Sequence, residues 1–189
     1  MAPDSPQASR WKSLREGIER NVRAHLWDVK RQKFIPHIYP EKSPIPEGFD
    51  ELAIHYHGGT AIAIEAGLLS KDEIRTVNAQ MLENVRLSGM PSIGLTLYPV
   101  YPDGFFHGGM SKAYLYQNGG DWTWFGGRMI QQLVVNGMVE EAYAEIHPMI
   151  ERVIQNDGFY EWYGKGGVPS GSGNFKGSAG VLSKAIELL

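Results

Sequence analysis

Cysteine is absent from the sequence, which excludes disulfide bonds, catalytic thiols and cysteine-ligated zinc but leaves the compartment open. The sequence also lacks the roughly 18 consecutive apolar residues that predict a membrane span, and its first residues lack the charged and apolar regions of a signal peptide. The sequence has 18 basic and 21 acidic residues, so its charge is nearly balanced, and it contains no long run of basic residues. We therefore expect a soluble chain that binds neither nucleic acid nor membrane.

What is present is a chain of 189 residues, 42% of them hydrophobic, which predicts one domain over residues 1–189 with a flexible arm at residues 1–9. Apolar residues at three- and four-residue spacing predict six helices. Their expected ranges are 10–27, 57–67, 70–89, 121–136, 139–155 and 177–189. The best-marked start is Ser70, because Glu73 three residues later completes a capping box.

The six helices form three sequential pairs in which short and long connections alternate. Short links occupy residues 67–70 and 136–138, whereas the long connections are rich in glycine, proline and aromatic residues. With the tight turns at one end of the helical array, the long loops collect at the other end, where ligand contacts are expected. The predicted fold class is all-α, built from α/α hairpins with long loops at one end.

One of these loops interleaves amides and a carboxylate with indoles. Its residues are Tyr116, Gln117, Asn118, Asp121, Trp122 and Trp124. Flat apolar faces beside hydrogen-bonding groups suit a sugar ring, whose C–H faces stack while its hydroxyls need partners. Two alternatives stay open, since Asp121 also suits a helix N-cap and the two tryptophans are also typical of a core.

A second loop places Glu161 among Phe159, Tyr160, Trp162 and Tyr163. A single carboxylate enclosed by four aromatic residues loses hydration, and such surroundings adapt a glutamate for general acid or base chemistry near neutral pH. The alternative is an exposed glutamate at the edge of an aromatic cluster. Glu161 is therefore the leading catalytic candidate, with Trp162 beside it as a sugar-stacking residue.

Three other patterns carry less information. His55 and His57 share a face of an extended segment, but no third ligand stands at a recognisable distance, so no metal is predicted. His57 either hydrogen-bonds within a packed site or reaches a sugar hydroxyl. The glycine-rich segment 164–177 is not a phosphate-binding loop, because Lys176 comes before its glycine and no strand pattern leads into it. Ser178 is not the serine of a Gly-x-Ser-x-Gly nucleophile elbow, because Lys176 occupies the position of the first glycine. The sequence predicts no cofactor.

Taken together, residues 116–127, 158–163 and 175–180 resemble the C-terminal half of six-hairpin (α/α)6-barrel glycoside hydrolases, the class that includes glucoamylases, trehalases, glucosidases and debranching enzymes. The resemblance implies that Glu161 is the general base that activates water in an inverting hydrolysis. It also implies that the segment 118–124 lines the sugar subsite, with Asp121 among its binding residues. Together with His57, the expected substrate-binding residues are Tyr116, Gln117, Asn118, Trp122, Trp124 and Trp162.

The length of the chain departs from that family. A complete barrel has six hairpins and twelve helices, whereas three hairpins and six helices are expected here, which corresponds to half of an (α/α)6 toroid. Inverting hydrolysis needs two carboxyl groups about 6.5 to 9.5 Å apart, one acting as acid and one as base. The family's acid comes from an earlier hairpin, so Asp121 is the only internal substitute. A half barrel also leaves apolar helix faces uncovered, and we expect a homodimer or association with a separate N-terminal half.

Three functions remain as hypotheses. The first is a glycoside hydrolase, or the C-terminal portion of one, with Glu161 as general base. The second is a carbohydrate-binding half-barrel that lacks catalysis because no acid is supplied. The third is a sugar epimerase in which His57 and His107 serve as acid and base.

Overall fold

The computed structural model describes residues 5–189, and the regular structure in that range is mainly helical. The helices are α1 (Pro6–His25), α2 (His57–Glu65), α3 (Lys71–Ser88), α4 (Thr123–Val135), α5 (Val139–Gln155) and α6 (Lys176–Leu188). All six expected helices are confirmed, with their ends shifted by a few residues. Within residues 5–189, no helix combines the length and the apolar character needed to cross a membrane.

Short strands occupy the long connections between the helices. They are β1 (Trp27–Asp28), β2 (Lys33–Phe34), β3 (His55–Tyr56), β4 (Leu97–Tyr98), β5 (Trp162–Tyr163) and β6 (Pro169–Ser170), paired antiparallel as β1–β2, β3–β4 and β5–β6. The β3–β4 pair joins the first long loop to the second. A backbone bridge between Asp121 and Tyr163 joins the second loop to the third. The long loops therefore meet at one end of the helices, as the alternation of connections predicts.

Helix α4 lies at the centre of the array, in contact with α2, α5 and α6. Its buried face meets the apolar faces of the other helices in one main core. Fully buried members of that core include Ile74, Met81, Met129, Ile130, Leu133, Ile146 and Met149. Short links reverse the chain after α2 and after α4, so the N-termini of α2, α4 and α6 all face the long loops. That end of the molecule is where the candidate site must be sought.

Two helix ends follow the local chemistry of the sequence. The predicted capping box is confirmed, since Ser70 Oγ accepts the Glu73 N–H at 3.4 Å and Glu73 Oε2 accepts the Ser70 N–H at 2.8 Å. Gly89 ends α3 with φ of 68°, a left-handed conformation that costs glycine little. Helix α5 continues through Pro148 to Gln155. The residues that fix these helix ends lie within a few positions of one another in the sequence. The sequence pattern alone therefore locates the ends.

Helix α1 includes part of the expected arm and carries exposed apolar residues. It begins at Pro6, within the predicted arm of residues 1–9, and Ser5 Oγ accepts the Ala8 N–H, whereas residues 1–4 lie outside the described range. None of the α1 residues is buried. The side chains of Trp11, Leu14 and Ile18 are 57%, 45% and 61% exposed. An apolar stripe on the first helix is thus left open to solvent.

Candidate functional site

Glu161 lies on the third long loop, directly before β5, and is partly buried. Its backbone N–H donates to the Ser172 carbonyl at 2.9 Å, and the Ser172 N–H donates to Glu161 Oε2 at 3.3 Å. The Tyr116 hydroxyl donates to Glu161 Oε1 at 3.5 Å. Gly171 has φ of 71°, and a Cβ there would lie 2.5 Å from Glu161 Oε2. The carboxylate is therefore held from two sides by groups that orient it and leave part of it accessible.

Aromatic rings surround the contact between Glu161 and Tyr116. The Tyr116 ring meets Trp122 edge-on at 4.9 Å and Trp162 edge-on at 6.2 Å between centroids. Trp122 is buried and its Nε1–H donates to the Tyr116 carbonyl at 3.2 Å, whereas Tyr116 and Trp162 are only partly buried. Trp122 therefore packs beneath the cluster, in agreement with the alternative that it is a core residue. Tyr116 and Trp162 present ring surface beside the carboxylate.

Paired backbone segments bring the two predicted motifs together. The Asp121 N–H donates to the Tyr163 carbonyl at 2.9 Å, and the Tyr163 N–H donates to the Asp121 carbonyl at 2.8 Å. A tight turn precedes this pair, in which the Gly120 N–H donates to the Tyr116 carbonyl and a Cβ on Gly120 would lie 2.2 Å from that oxygen. Residues 116–124 and 158–163, which are separate in sequence, thus lie side by side at the loop end.

The side chain of Asp121 is fully buried beneath this site. Its Oδ1 accepts from Arg152 Nη1 at 2.7 Å, and both of its oxygens accept from the Ser92 hydroxyl, at 2.9 and 2.7 Å. Arg152 also donates to Thr123 Oγ1 at 2.6 Å and lies over the Tyr163 ring. The N-cap interpretation is wrong, because Trp122 is the N-cap residue of α4 and makes no capping bond. With no exposed surface, this carboxylate does not contact a ligand beside Glu161, so its assignment as a catalytic and binding residue is corrected to an internal ion pair.

Two further predicted binding residues also turn inward. Asn118 is fully buried, with Oδ1 accepting the Tyr101 N–H at 2.9 Å and Nδ2 donating to the Tyr101 carbonyl at 3.2 Å. His57 is buried at the start of α2, and Asn84 Nδ2 donates to its Nε2 at 3.1 Å. Burial lowers the pKa of His57 well below the usual histidine range, which keeps the ring neutral. Both assignments are corrected to structural hydrogen bonding, because neither side chain has surface to offer a sugar.

The remaining predicted residues do reach the surface. Gln117 is exposed and borders a small cleft of about 70 Å³ that is also lined by Tyr56, Thr96 and Phe125. Trp124 is partly buried, and the Arg128 guanidinium lies 4.5 Å above its ring. Tyr56 and Phe125 were missed by sequence reasoning, although Phe125 directly follows Trp124 in the aromatic run.

A glycine explains why Phe125 can stand at the N-terminus of α2. A Cβ on Gly58 would lie 2.4 Å from the Phe125 ring, so only glycine permits this approach. His55 and His57 stand with their rings 5.7 Å apart and share the Asn84 amide. Within residues 5–189, no group of three or more His, Cys, Asp or Glu side chains is placed to hold a metal ion.

Helical hairpins with long loops at one end define an all-α class of fold, and the Glu161 carboxylate lies among aromatic rings at that end. Comparison with solved structures supports that class. The chain is similar to the GH63 mannosylglycerate hydrolase from Thermus thermophilus, solved in complex with glucose, with a TM-score of 0.64 at 18% sequence identity. The similarity covers 89% of this chain and 38% of that one, so the chain spans less than half the length of the hydrolase.

This similarity confirms the predicted fold class, an all-α half-barrel built from α/α hairpins. At this identity, it is the fold that the two chains share. No protein-family model matches the sequence, and no curated protein matches it.

Proposed function

We propose that the chain is a glycoside hydrolase, or the C-terminal portion of one, in which Glu161 acts as the general base of an inverting hydrolysis. One observation carries the proposal. The partly buried Glu161 carboxylate contacts Tyr116 beside Trp162, at the loop end of a glycosidase-type helical fold. The fold supports the class of protein, and this contact supports the choice of residue.

The geometry suits the chemistry of a base. An ionised Glu161 accepts a proton from a water molecule as that water attacks the anomeric carbon. The Tyr116 hydroxyl and the Ser172 N–H fix the direction of the carboxylate lone pairs. The rings of Tyr116 and Trp162 offer stacking surface to the C–H face of a sugar, and the exposed Gln117 amide offers both a donor and an acceptor to its hydroxyls.

An acid on the opposite side of the bond must come from elsewhere, because Asp121 is ion-paired and buried. We propose that a second copy of the chain, or a separate N-terminal half, covers the edge formed by α1 and α2 and completes the barrel. An apolar groove of about 380 Å³ lies at that edge, and it continues the exposed stripe of α1. Its lining includes Val22, Leu26, Phe34, Ile35 and Ile62.

The proposed association makes the α1 stripe an interface. We expect light scattering after gel filtration to give a mass above that of one chain, and Trp11→Glu with Ile18→Glu to reduce it, because charges in an apolar contact are costly. Val29→Glu is the control, since Val29 is 71% exposed on the turn after β1. A monomer that binds no apolar dye would contradict the proposal.

Carbohydrate binding without catalysis is the second candidate. It is favoured by the burial of Asp121, which leaves Glu161 without a carboxylate partner among the described contacts of the site. The epimerase hypothesis has no such support, because His57 is buried against Asn84 while His107 is exposed on the loop between α3 and α4. Binding and hydrolysis predict different products, and a direct assay separates them.

In the assay, oligosaccharides and aryl glycosides are titrated into the protein. Calorimetry measures their binding, and analysis of the products measures their hydrolysis. We expect sugar to bind, and Trp162→Ala to weaken binding about tenfold because a stacking face is lost. Tyr143→Ala is the matched control, since Tyr143 is 61% exposed on α5. Binding with release of an inverted sugar supports hydrolysis, and binding without product supports the second candidate. The absence of any sugar binding, or equal binding by both variants, would contradict the site.

A further inference from the structure

A second concave surface lies between α3 and residues 31–55 and shares no residue with the Glu161 site. It is a groove of about 800 Å³ whose lining is rich in cationic and donor side chains. Those that matter are Arg31, Lys33, His55, Arg75, Gln80 and Asn84. None of them takes part in the proposed hydrolysis, so the groove needs its own explanation.

Lys33 is the unusual group on the floor of this groove. Its side chain is 5% exposed, and its ammonium donates to the Ile54 carbonyl. Within residues 5–189, no carboxylate lies within 4.0 Å of it. An ammonium carries three donors, and a buried cation without an anion is rare because desolvation is costly. Burial and the nearby charge of Arg31 lower the pKa of Lys33 to about 8, against weaker opposing effects of Asp28 and Asp50.

His55 supplies a second buried donor beside Lys33. The ring is 3% exposed, and Asn84 Nδ2 lies 3.5 Å from its Nδ1. Burial and the charge of Lys33 lower the pKa of His55 to about 3, so the ring is neutral and carries one proton. With Nδ1 facing the Asn84 amide hydrogen, that proton sits on Nε2, which is buried and has no partner. An unsatisfied N–H of this kind calls for an acceptor.

Arginines at the rim add positive charge without using all their donors. Arg31 and Arg75 each place one Nη on a neighbouring carboxylate, Asp28 at 2.8 Å and Asp72 at 2.9 Å. Their other guanidinium N–H groups remain available to a ligand. Glu83 is the carboxylate in the lining, and both of its oxygens are held by Arg86.

We propose that this groove binds the phosphate group of a small molecule, with Lys33 and His55 donating to its oxygens and Arg31 and Arg75 closing over it. A phosphate accepts hydrogen bonds from several directions at once, which matches donors that converge from β2, β3 and α3. It also supplies the negative charge that Lys33 lacks. The buried Gln80 Oε1, which has no partner, would accept from a hydroxyl on the phosphate or on its ester.

The test is calorimetric titration of the full chain with inorganic phosphate at pH 7 and constant ionic strength. We expect binding that Lys33→Met weakens at least tenfold, since a central donor and its charge are removed. Lys30→Met is the matched control, because Lys30 is exposed on the same hairpin, and it should leave binding unchanged. Equal binding by wild type and Lys33→Met, or no binding above that of chloride, would overturn the proposal.

Two further measurements keep the test decisive if Lys33→Met does not fold. Arg75→Gln changes an exposed side chain and should weaken phosphate binding severalfold. At pH 8, wild type should take up protons as phosphate binds, because the anion favours the charged form of Lys33. Absence of both effects overturns the proposal, as does acetate binding equal to that of phosphate. Tighter binding of glucose 6-phosphate than of inorganic phosphate identifies an ester as the ligand, and equal binding identifies free phosphate.

Discussion

Glu161→Gln is expected to reduce hydrolysis by about 10²–10⁴-fold while sugar binding stays within a factor of a few. The amide keeps the size of the side chain, its oxygen can still accept from the Ser172 N–H, and its NH2 group can donate to the Tyr116 hydroxyl oxygen. It cannot accept a proton from water, so the loss falls on the chemical step. Initial rates and binding constants measured on the same preparation separate the two effects.

A matched control for this variant is Glu151→Gln. Glu151 is exposed on α5, and its Oε1 lies 3.9 Å from His147 Nδ1. The control variant should keep full activity. If Glu161→Gln turns over substrate as fast as the control, Glu161 is not the base. If wild type binds sugar and neither protein releases product, the chain binds carbohydrate without hydrolysing it.

Arg152→Met is expected to lower the free energy of unfolding by about 3–5 kcal/mol, because it leaves the buried Asp121 carboxylate without its cation. Arg152 is 5% exposed and Asp121 is fully buried, so water cannot replace the lost partner. The same substitution also removes the hydrogen bond to Thr123 at the start of α4. Urea unfolding followed by circular dichroism measures the change.

Two companion variants test the cause of that loss. Arg86→Met breaks an exposed ion pair with Glu83 and should cost less than about 1 kcal/mol. The double variant Arg152→Met with Asp121→Asn should recover part of the stability lost by Arg152→Met, because no unpaired charge remains. A loss below about 1 kcal/mol for Arg152→Met alone would show that the buried pair does not hold the loop end together.

The helices and the two site motifs could be predicted from the sequence because the patterns that indicate them are local. Ser70 and Glu73 are three residues apart, and Gly89 ends its helix through its own backbone freedom. The likeness of residues 116–124 and 158–163 to a glycosidase loop end is likewise carried by short runs of residues. Such features do not depend on which distant segment folds against them.

Polar residues at the site were harder to assign. Asp121, Asn118 and His57 have the residue types that bind sugars, but each finds its partner within the protein. The partner of Asp121 is 31 residues away on α5, and that of His57 is 27 residues away on α3. No spacing rule within a loop reports such a pairing. Local sequence patterns therefore predicted which loop is rich in candidate binding residues, but they assigned more of its side chains to ligand binding than are exposed.

The order and limits of the helices, the alternation of short and long connections and the candidacy of Glu161 were determined by the amino-acid sequence. The tertiary structure decided which side chains face outward at the loop end and which are used internally. It also brought Lys33 and His55 together in the floor of one groove, which no sequence motif predicts. The physical reason is that helix periodicity and capping act within a few residues, whereas burial and charge pairing depend on chain segments that meet only after folding.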